Sequence, residues 1–141
     1  MTTIRFDVDL EELLRVVQTV RAHTEKYATD LPYYRMLVAL REELKQEHTF
    51  YPVNCCIFSS IEVRRVLGRQ FGIVEMPGVF SWDGFIREGE GKVEMFESHM
   101  WNYDANRNLY IDLTLDQFYC GFPCVSVIPV ADARFLRRDD F

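Results

Sequence analysis

Apolar residues in the first half of the chain recur at the spacing of α-helices. The first apolar stripe consists of Leu10, Leu13, Leu14, Val17 and Val20. Asp9 precedes this stripe and Glu12 follows three residues later, which is the capping-box spacing that starts a helix. We predict a helix from Asp9 to about Tyr27, followed by a break at residues 28–30.

Two further helices are predicted before Gly72. Asp30 is expected to cap the second helix, with Pro32 in its first turn and residues 41–45 facing water. Its apolar stripe is Tyr33, Leu37, Leu40 and Leu44. The third helix is predicted to begin near Asn54 and to end near Gly72. Its apolar positions are Ile57, Phe58, Ile61, Val66 and Leu67.

The second half of the chain changes to β-prone pieces separated by turn residues. The predicted strands cover residues 73–76, 79–82, 93–103, 109–112 and 124–128. Turns are expected at 87–92 and 105–108, and one helical turn at 115–118. Helices followed by antiparallel strands indicate the α+β class. We predict a single domain over residues 1–141, with a helical N-terminal part at 1–50 and a core at 51–130.

Composition narrows the range of functions. The apolar fraction of 48 % and the charged fraction of 27 % are typical of a soluble globular domain. A net charge of -6 argues against a nucleic-acid partner, which requires a basic face. No apolar run approaches the ~20 residues of a membrane span, and the first residues do not resemble a signal peptide. A cytoplasmic location is therefore expected, where the four cysteines stay reduced.

Two of these cysteines lie at the predicted start of the third helix. Cysteine acts as a nucleophile only as thiolate, and a helix N-terminus or an imidazolium lowers its ordinary pKa of ~8.5. Cys55 and Cys56 meet the first condition. The free N–H groups of the same turn can also stabilise an oxyanion.

A base and a residue that orients it complete a candidate triad. His23 and His48 have surroundings typical of surface residues, whereas His99 lies in the middle of a predicted strand. Asp112 lies on the next strand between Ile111 and Leu113, where a buried carboxylate needs a partner. Since the two strands form a hairpin, we expect positions 99 and 112 to meet, so that the carboxylate orients the imidazole.

These segments resemble the transglutaminase-like and papain-like superfamily. Residues 99–103 (HMWNY) and 110–114 (YIDLT) are similar to the His-x-Trp and Asp-x-Thr pattern of transglutaminase-like domains. Residues 55–59 (CCIFS) are similar to the Cys-x-x-Phe-Ser helix start of papain-like enzymes. The order Cys, His, Asp also agrees, and the third helix ends in a similar Gly-Ile pair at residues 72–73. The resemblance covers about residues 50–118.

The resemblance implies a papain-like core, in which a thiol-bearing helix packs on an antiparallel sheet. It implies chemistry through a thioester: amide hydrolysis, deamidation or acyl transfer to an amine. The implied substrate is a peptide, a protein or a small acyl compound. The resemblance implies neither a metal nor an organic cofactor, and the sequence leaves the acceptor and the oligomeric state open.

The choice of nucleophile stays open between the adjacent thiols. The motif register favours Cys55, whereas Cys56 shares a helix face with a better inward stripe, formed by Ser60, Val63 and Leu67. Asn54 is expected to cap the helix or to donate to the oxyanion. Trp101 is expected to shield the His–Asp pair or to form a wall of the cleft. Trp82 is a further candidate for substrate contact.

Two other classes of function are compatible with the same residues. Zinc binding is one alternative, with Cys120 and Cys124 as candidate ligands together with Cys55, Cys56 and His99. Alternatively, the domain is a binding module that kept the fold without catalysis. The complete triad favours an enzyme, with Cys55 attacking a carbonyl, His99 moving the proton and Asp112 orienting His99.

Overall fold

Three helices precede a five-stranded antiparallel sheet in the computed structural model, which describes residues 9–85 and 96–138. The helices are α1 (Leu10–Asp30), α2 (Tyr34–Glu47) and α3 (Cys56–Phe71). The strands are β1 (Ile73–Ser81), β2 (Phe96–Asp104), β3 (Leu109–Asp112), β4 (Ser126–Pro129) and β5 (Leu136–Arg138). Their order in the sheet is β4-β3-β2-β1-β5. The prediction of an α+β fold is confirmed.

The start of α1 follows the prediction, but its end does not. Asp9 caps the helix, because its side chain accepts a hydrogen bond of 3.1 Å from the Glu12 N–H. The helix then continues to Asp30, so the predicted break at 28–30 and the capping role of Asp30 are wrong. The chain leaves the helix at Leu31, which is extended because it precedes Pro32.

Both faces of the sheet are covered, which explains why all four residues of β3 are buried. One face carries an aromatic-rich cluster that includes Trp101 and Tyr110 together with side chains of α1. The opposite face carries Leu109 and Ile111, which belong to a cluster with side chains of α2 and α3. Alternate residues of β3 therefore belong to two separate hydrophobic clusters, one on each face of the sheet.

Strand β1 runs through Pro77-Gly78, where the sequence predicted two separate pieces. A Cβ at Gly78 would lie 2.1 Å from the carbonyl oxygen of Arg137 and 2.5 Å from the Trp101 ring. Glycine is therefore required by the close approach of β5 and the indole, and it does not mark a turn. The predicted strand at 124–128 begins two residues later and is not the last, because β5 follows and pairs with β1.

Other predictions for the second half have mixed outcomes. The strand at 109–112 is confirmed, and a short helical turn follows at Leu115–Gln117. The predicted turn at 87–92 and the first part of the predicted strand at 93–103 lie outside the described residues. Within the described part of the chain, no helix is long and apolar enough to cross a membrane.

Helix α3 packs through small side chains. Ile57, Phe58 and Ile61 were predicted as apolar packing positions, but they are 55 %, 56 % and 40 % exposed. Its buried residues are Ser59, Ser60, Val63 and Leu67. The small serines let the sheet approach, and the carbonyl of Ser60 accepts a hydrogen bond of 3.0 Å from the Asn102 side chain of β2.

The prediction that residues 41–45 face water is wrong for Arg41, which is buried. Its guanidinium is buried and donates two hydrogen bonds of 2.9 Å to the carboxylate of Asp116. It also donates to the carbonyls of Leu113 and Cys124 and lies over the ring of Tyr51. A bidentate ion pair thus joins α2 to the segment that follows Asp112.

We predict that Arg41→Met lowers the free energy of unfolding by about 3 kcal/mol, because it leaves the carboxylate of Asp116 without its charged partner. Urea denaturation measures the loss. The matched control is the double variant Arg41→Met/Asp116→Leu, which removes both charges and should lose clearly less. A single variant within about 0.5 kcal/mol of wild type would show that the pair is not a structural brace.

Candidate active site

Three different elements position the candidate triad. Cys56 is the first residue of α3, His99 lies in the middle of β2, and Asp112 is the last residue of β3. The register pairs Tyr103 with Tyr110. Because side chains alternate along a strand, His99 and Asp112 project from the same face of the sheet. The hairpin thus brings positions 99 and 112 together as the sequence analysis expected.

His99 and Asp112 form a buried hydrogen-bonded pair. His99 Nε2 and Asp112 Oδ2 are 2.6 Å apart, and the two residues are only 4 % and 2 % exposed. The other carboxylate oxygen, Oδ1, accepts hydrogen bonds from the Thr114 N–H at 2.9 Å and hydroxyl at 3.2 Å. Both oxygens of the buried carboxylate are therefore satisfied, and the carboxylate is fixed to orient the ring.

This pairing controls the protonation of the imidazole. Burial lowers the pKa of His99, but the charge and hydrogen bond of Asp112 outweigh burial, and Cys56 adds to their effect. The net result raises the pKa of His99 from 6.5 to about 9. The ring is thus held as an imidazolium at neutral pH, which is the form that stabilises a thiolate.

Aromatic rings surround His99. The Trp101 ring is stacked at a centroid distance of 5.8 Å, and the Phe118 ring meets the imidazole edge-on at 4.9 Å. Gly78 contributes indirectly, because its missing side chain leaves the space that the Trp101 ring occupies. The expectation that Trp101 shields the His–Asp pair agrees with this contact.

The thiol of Cys56 meets His99 where β2 extends beyond β3. The register pairs β3 only with residues 102–104, so the backbone of Met100 is free of that neighbour and lies close enough to the Cys56 sulfur to affect its pKa. Burial raises the pKa of Cys56, but the interactions with His99 and Met100 prevail and lower it. A half-buried thiol with a lowered pKa beside an imidazole has the properties of an activated nucleophile.

The second ring nitrogen of His99, Nδ1, does not bond to Asp112 and is available to the Cys56 sulfur. Nδ1 is buried, and no hydrogen bond of full geometry from the described residues engages it. The Cys56–His99 contact is therefore looser than an ordinary hydrogen bond, as is common for a nucleophile and its base before substrate binds. Nδ1 remains available to take or give a proton.

Cys55, which the motif register favoured as nucleophile, has the opposite environment. It is 7 % exposed, and its thiol donates to the carbonyl of Val53 at 3.3 Å. Burial, followed by the proximity of Cys56, raises its pKa. Of the two thiols, the structure therefore turns that of Cys56 towards His99, as the inward stripe of α3 indicates and the motif register does not.

The remaining candidate residues lie around the site rather than in it. Asn54 is exposed with a φ of 58°, and its N–H donates to the Gln117 side chain, so Cys55 and not Asn54 is the N-cap residue of α3. Trp82 is fully buried in the aromatic cluster and offers no surface to a substrate. His23 pairs with Asp132, and His48 stacks on Phe58.

Tyr51 braces the site and was missed by the sequence analysis. Its hydroxyl donates to the carbonyl of Leu113 at 3.1 Å and shares a hydrogen bond of 2.7 Å with Ser59. Ser59 lies three residues after Cys56, and Leu113 follows Asp112. Tyr51 therefore fixes the thiol-bearing turn of α3 relative to the carboxylate arm. The hydrophobic and polar pattern of the sequence around Tyr51 does not indicate such a tertiary contact.

The pair of Cys56 and His99 opens to solvent through a cavity of about 250 Å³, which both residues line. A larger cavity of about 420 Å³ lies between α1 and the segment before β5, away from the thiol. For the zinc alternative, residues 9–85 and 96–138 hold no group of three or more histidine, cysteine or acidic side chains arranged to bind a metal ion.

Comparison with known protein families, with curated proteins and with solved structures gives no match for this chain. The case for a function therefore depends on the geometry of the site.

We predict that Asp112→Asn makes His99 neutral at pH 7. In the native protein the imidazolium persists as the pH rises past 6.5 and is lost near 9. Without the carboxylate, burial lowers the pKa of His99 and only the interaction with Cys56 opposes it, so the pKa should fall well below its native value. Titration of the imidazole signals by NMR measures the change.

Glu75→Gln is the matched control for this prediction, because it removes one negative charge from β1 at a carboxylate that pairs with Arg64 instead. It should leave the titration of His99 in place. A His99 that titrates alike in wild type and Asp112→Asn would refute the dominant role of Asp112.

Proposed function

We propose that this protein is a thiol-dependent amide hydrolase or acyltransferase that works through Cys56, His99 and Asp112. The observation that carries the proposal is the position of Cys56 beside His99, with which it lines one cavity, while the Nε2 atom of that imidazole is bonded to a buried carboxylate. A structural cysteine needs no such partner, whereas a nucleophile, a base and an orienting group are the parts of acyl-transfer catalysis.

The first half of the reaction forms an acyl-enzyme. The Cys56 thiolate attacks the carbonyl carbon of the substrate, a C–S bond forms, and the carbonyl electron pair moves onto oxygen. As the carbonyl re-forms, the C–N bond breaks, and the imidazolium of His99 gives its proton to the leaving amine. A thioester on Cys56 and a neutral imidazole remain, and Asp112 keeps that ring oriented.

The second half releases the acyl group. Neutral His99 takes a proton from water, whose oxygen attacks the thioester carbon. The C–S bond breaks, its electron pair returns to Cys56 as thiolate, and a carboxylic acid leaves. An amine that replaces water gives transfer instead of hydrolysis. Hydrolysis is favoured because water is always available as the acceptor.

The helix start provides for the charge that develops on the carbonyl oxygen. The N–H groups of the first turn of α3 have no acceptor within the helix, since the first helical bond joins the Ser59 N–H to the Cys55 carbonyl. The N–H groups of Cys56 and Ile57 lie next to the reacting sulfur and suit the role of an oxyanion hole.

The arrangement supports the resemblance to transglutaminase-like and papain-like enzymes. Cys, His and Asp occur in that order, on a helix start and on two adjacent antiparallel strands. Under this proposal the core is papain-like, a peptide, protein or small acyl compound is the substrate, and the location is cytoplasmic. The alternative of an inactive binding module with this fold makes a different prediction for the thiol.

We predict that iodoacetamide alkylates Cys56 at pH 6 at least tenfold faster than it alkylates a free cysteine, because its thiolate is stabilised. Intact-mass spectrometry followed by peptide mapping measures the rate and the site. Cys55 should react slowly because its pKa is raised.

Paired variants separate the two thiols. Cys55→Ala should retain the fast reaction, and Cys56→Ala should abolish it. His99→Gln should slow the labelling of Cys56 to the rate of an ordinary thiol. Equal, slow labelling of wild type and His99→Gln would favour the inactive module, and fast labelling that survives in Cys56→Ala would remove the nucleophile from this position.

A further inference from the structure

We propose that the substrate places an uncharged apolar acyl group in the cavity beside Cys56, and that Ile57 selects for that group. The inference deepens the proposed function and rests on it. The cavity, of about 250 Å³, adjoins the thiol, so the group attached to the attacked carbonyl can enter it.

The walls of the cavity are chemically uniform. Its described lining beyond Cys56 and His99 consists of Ile57, Pro77, Gly78, Val79, Ser98 and Met100. These six residues bear no charge, and Ser98 is the only one with a polar side chain. The imidazole of His99 already interacts with Cys56 and is hydrogen-bonded to Asp112. An ionic acyl group would lose water here without gaining a partner.

The shape of the cavity follows from the pairing of β1 with β2. Pro77 lies opposite Met100, and Val79 lies opposite Ser98. Since these positions alternate with Gly78 and His99, the four side chains project from one face of the sheet, opposite to the face that carries the His99 side chain. They form the floor of the cavity, and Ile57 of α3 contributes to its wall next to the thiol.

The volume limits the size of the group. Sites for drug-sized ligands usually begin at about 300 Å³, so this cavity suits one apolar side chain or a short aliphatic chain. Each buried methylene contributes to binding, and a hydrophobic pocket discriminates by about tenfold or more per methylene. Selection between a short and a longer acyl chain is therefore measurable.

The test compares p-nitrophenyl acetate with p-nitrophenyl hexanoate. Thiolate attack forms the thioester and releases nitrophenolate, and water then regenerates the enzyme. We expect the kcat/KM for hexanoate to exceed that for acetate by at least about tenfold, after correction for the reaction of each ester with hydroxide. Cys56→Ala supplies the background rate.

Ile57→Glu is the diagnostic variant. Ile57 is 55 % exposed, and an acidic residue in the first turn of a helix favours folding, so the protein should remain folded. The introduced carboxylate should lower the hexanoate-to-acetate ratio to about threefold or less. The ratio is independent of the pKa of Cys56, because both esters meet the same thiolate.

Phe58→Glu is the matched control. Phe58 is the next residue, it is 56 % exposed, and it is absent from the described lining of the cavity. It places the same charge at the same helix end, so this variant should keep the wild-type ratio. Equal loss of the ratio in both variants would overturn the role of Ile57.

The outcomes separate this inference from the proposed function. If both esters acylate Cys56 with equal kcat/KM, the apolar cavity is refuted and the nucleophile stands. If neither ester acylates Cys56, the proposed function fails first. The p-nitrophenyl esters of N-acetylglycine and N-acetyl-leucine then identify the kind of acyl donor. A leucine-to-glycine ratio of kcat/KM above the hexanoate-to-acetate ratio indicates a peptide donor. The reverse order indicates an aliphatic acyl donor.

Discussion

The site depends on one hydrogen bond between two groups that are both withdrawn from water. The bond between His99 and Asp112 spans 2.6 Å, and neither residue is more than 4 % exposed. A buried carboxylate or a buried imidazolium alone would be strongly destabilising. Together, with Thr114 bonded to the other carboxylate oxygen, they are satisfied. The bond also directs the remaining ring nitrogen away from Asp112, which leaves it for Cys56.

The architecture explains how a sulfur reaches that nitrogen. Strand β3 ends at Asp112, while β2 continues past it through His99 towards Phe96. The uncovered stretch of β2 gives the N-terminus of α3 access to the imidazole. Two contacts outside the triad fix the segment that follows Asp112: the Arg41–Asp116 ion pair and the hydrogen bond from the Tyr51 hydroxyl to Leu113.

The sequence predicts the parts of this site that local rules control. The alternation along β2 and β3 and the turn between them are sufficient to bring His99 and Asp112 together. The choice between Cys55 and Cys56 is not local, because one residue rotates a helical side chain by about 100° and tertiary packing sets that rotation. The sequence likewise predicts Arg41 to be a surface residue, because its partner Asp116 lies 75 positions away along the chain.

Ultraviolet titration of the thiolate of Cys56 tests the central claim most directly. The experiment uses the chain with Cys55, Cys120 and Cys124 replaced by serine, with and without His99→Gln. We predict that the thiolate forms below the ordinary pKa of ~8.5, and that His99→Gln moves its formation to that value or above. A thiol that titrates at the same ordinary pKa in both proteins would contradict the activated nucleophile.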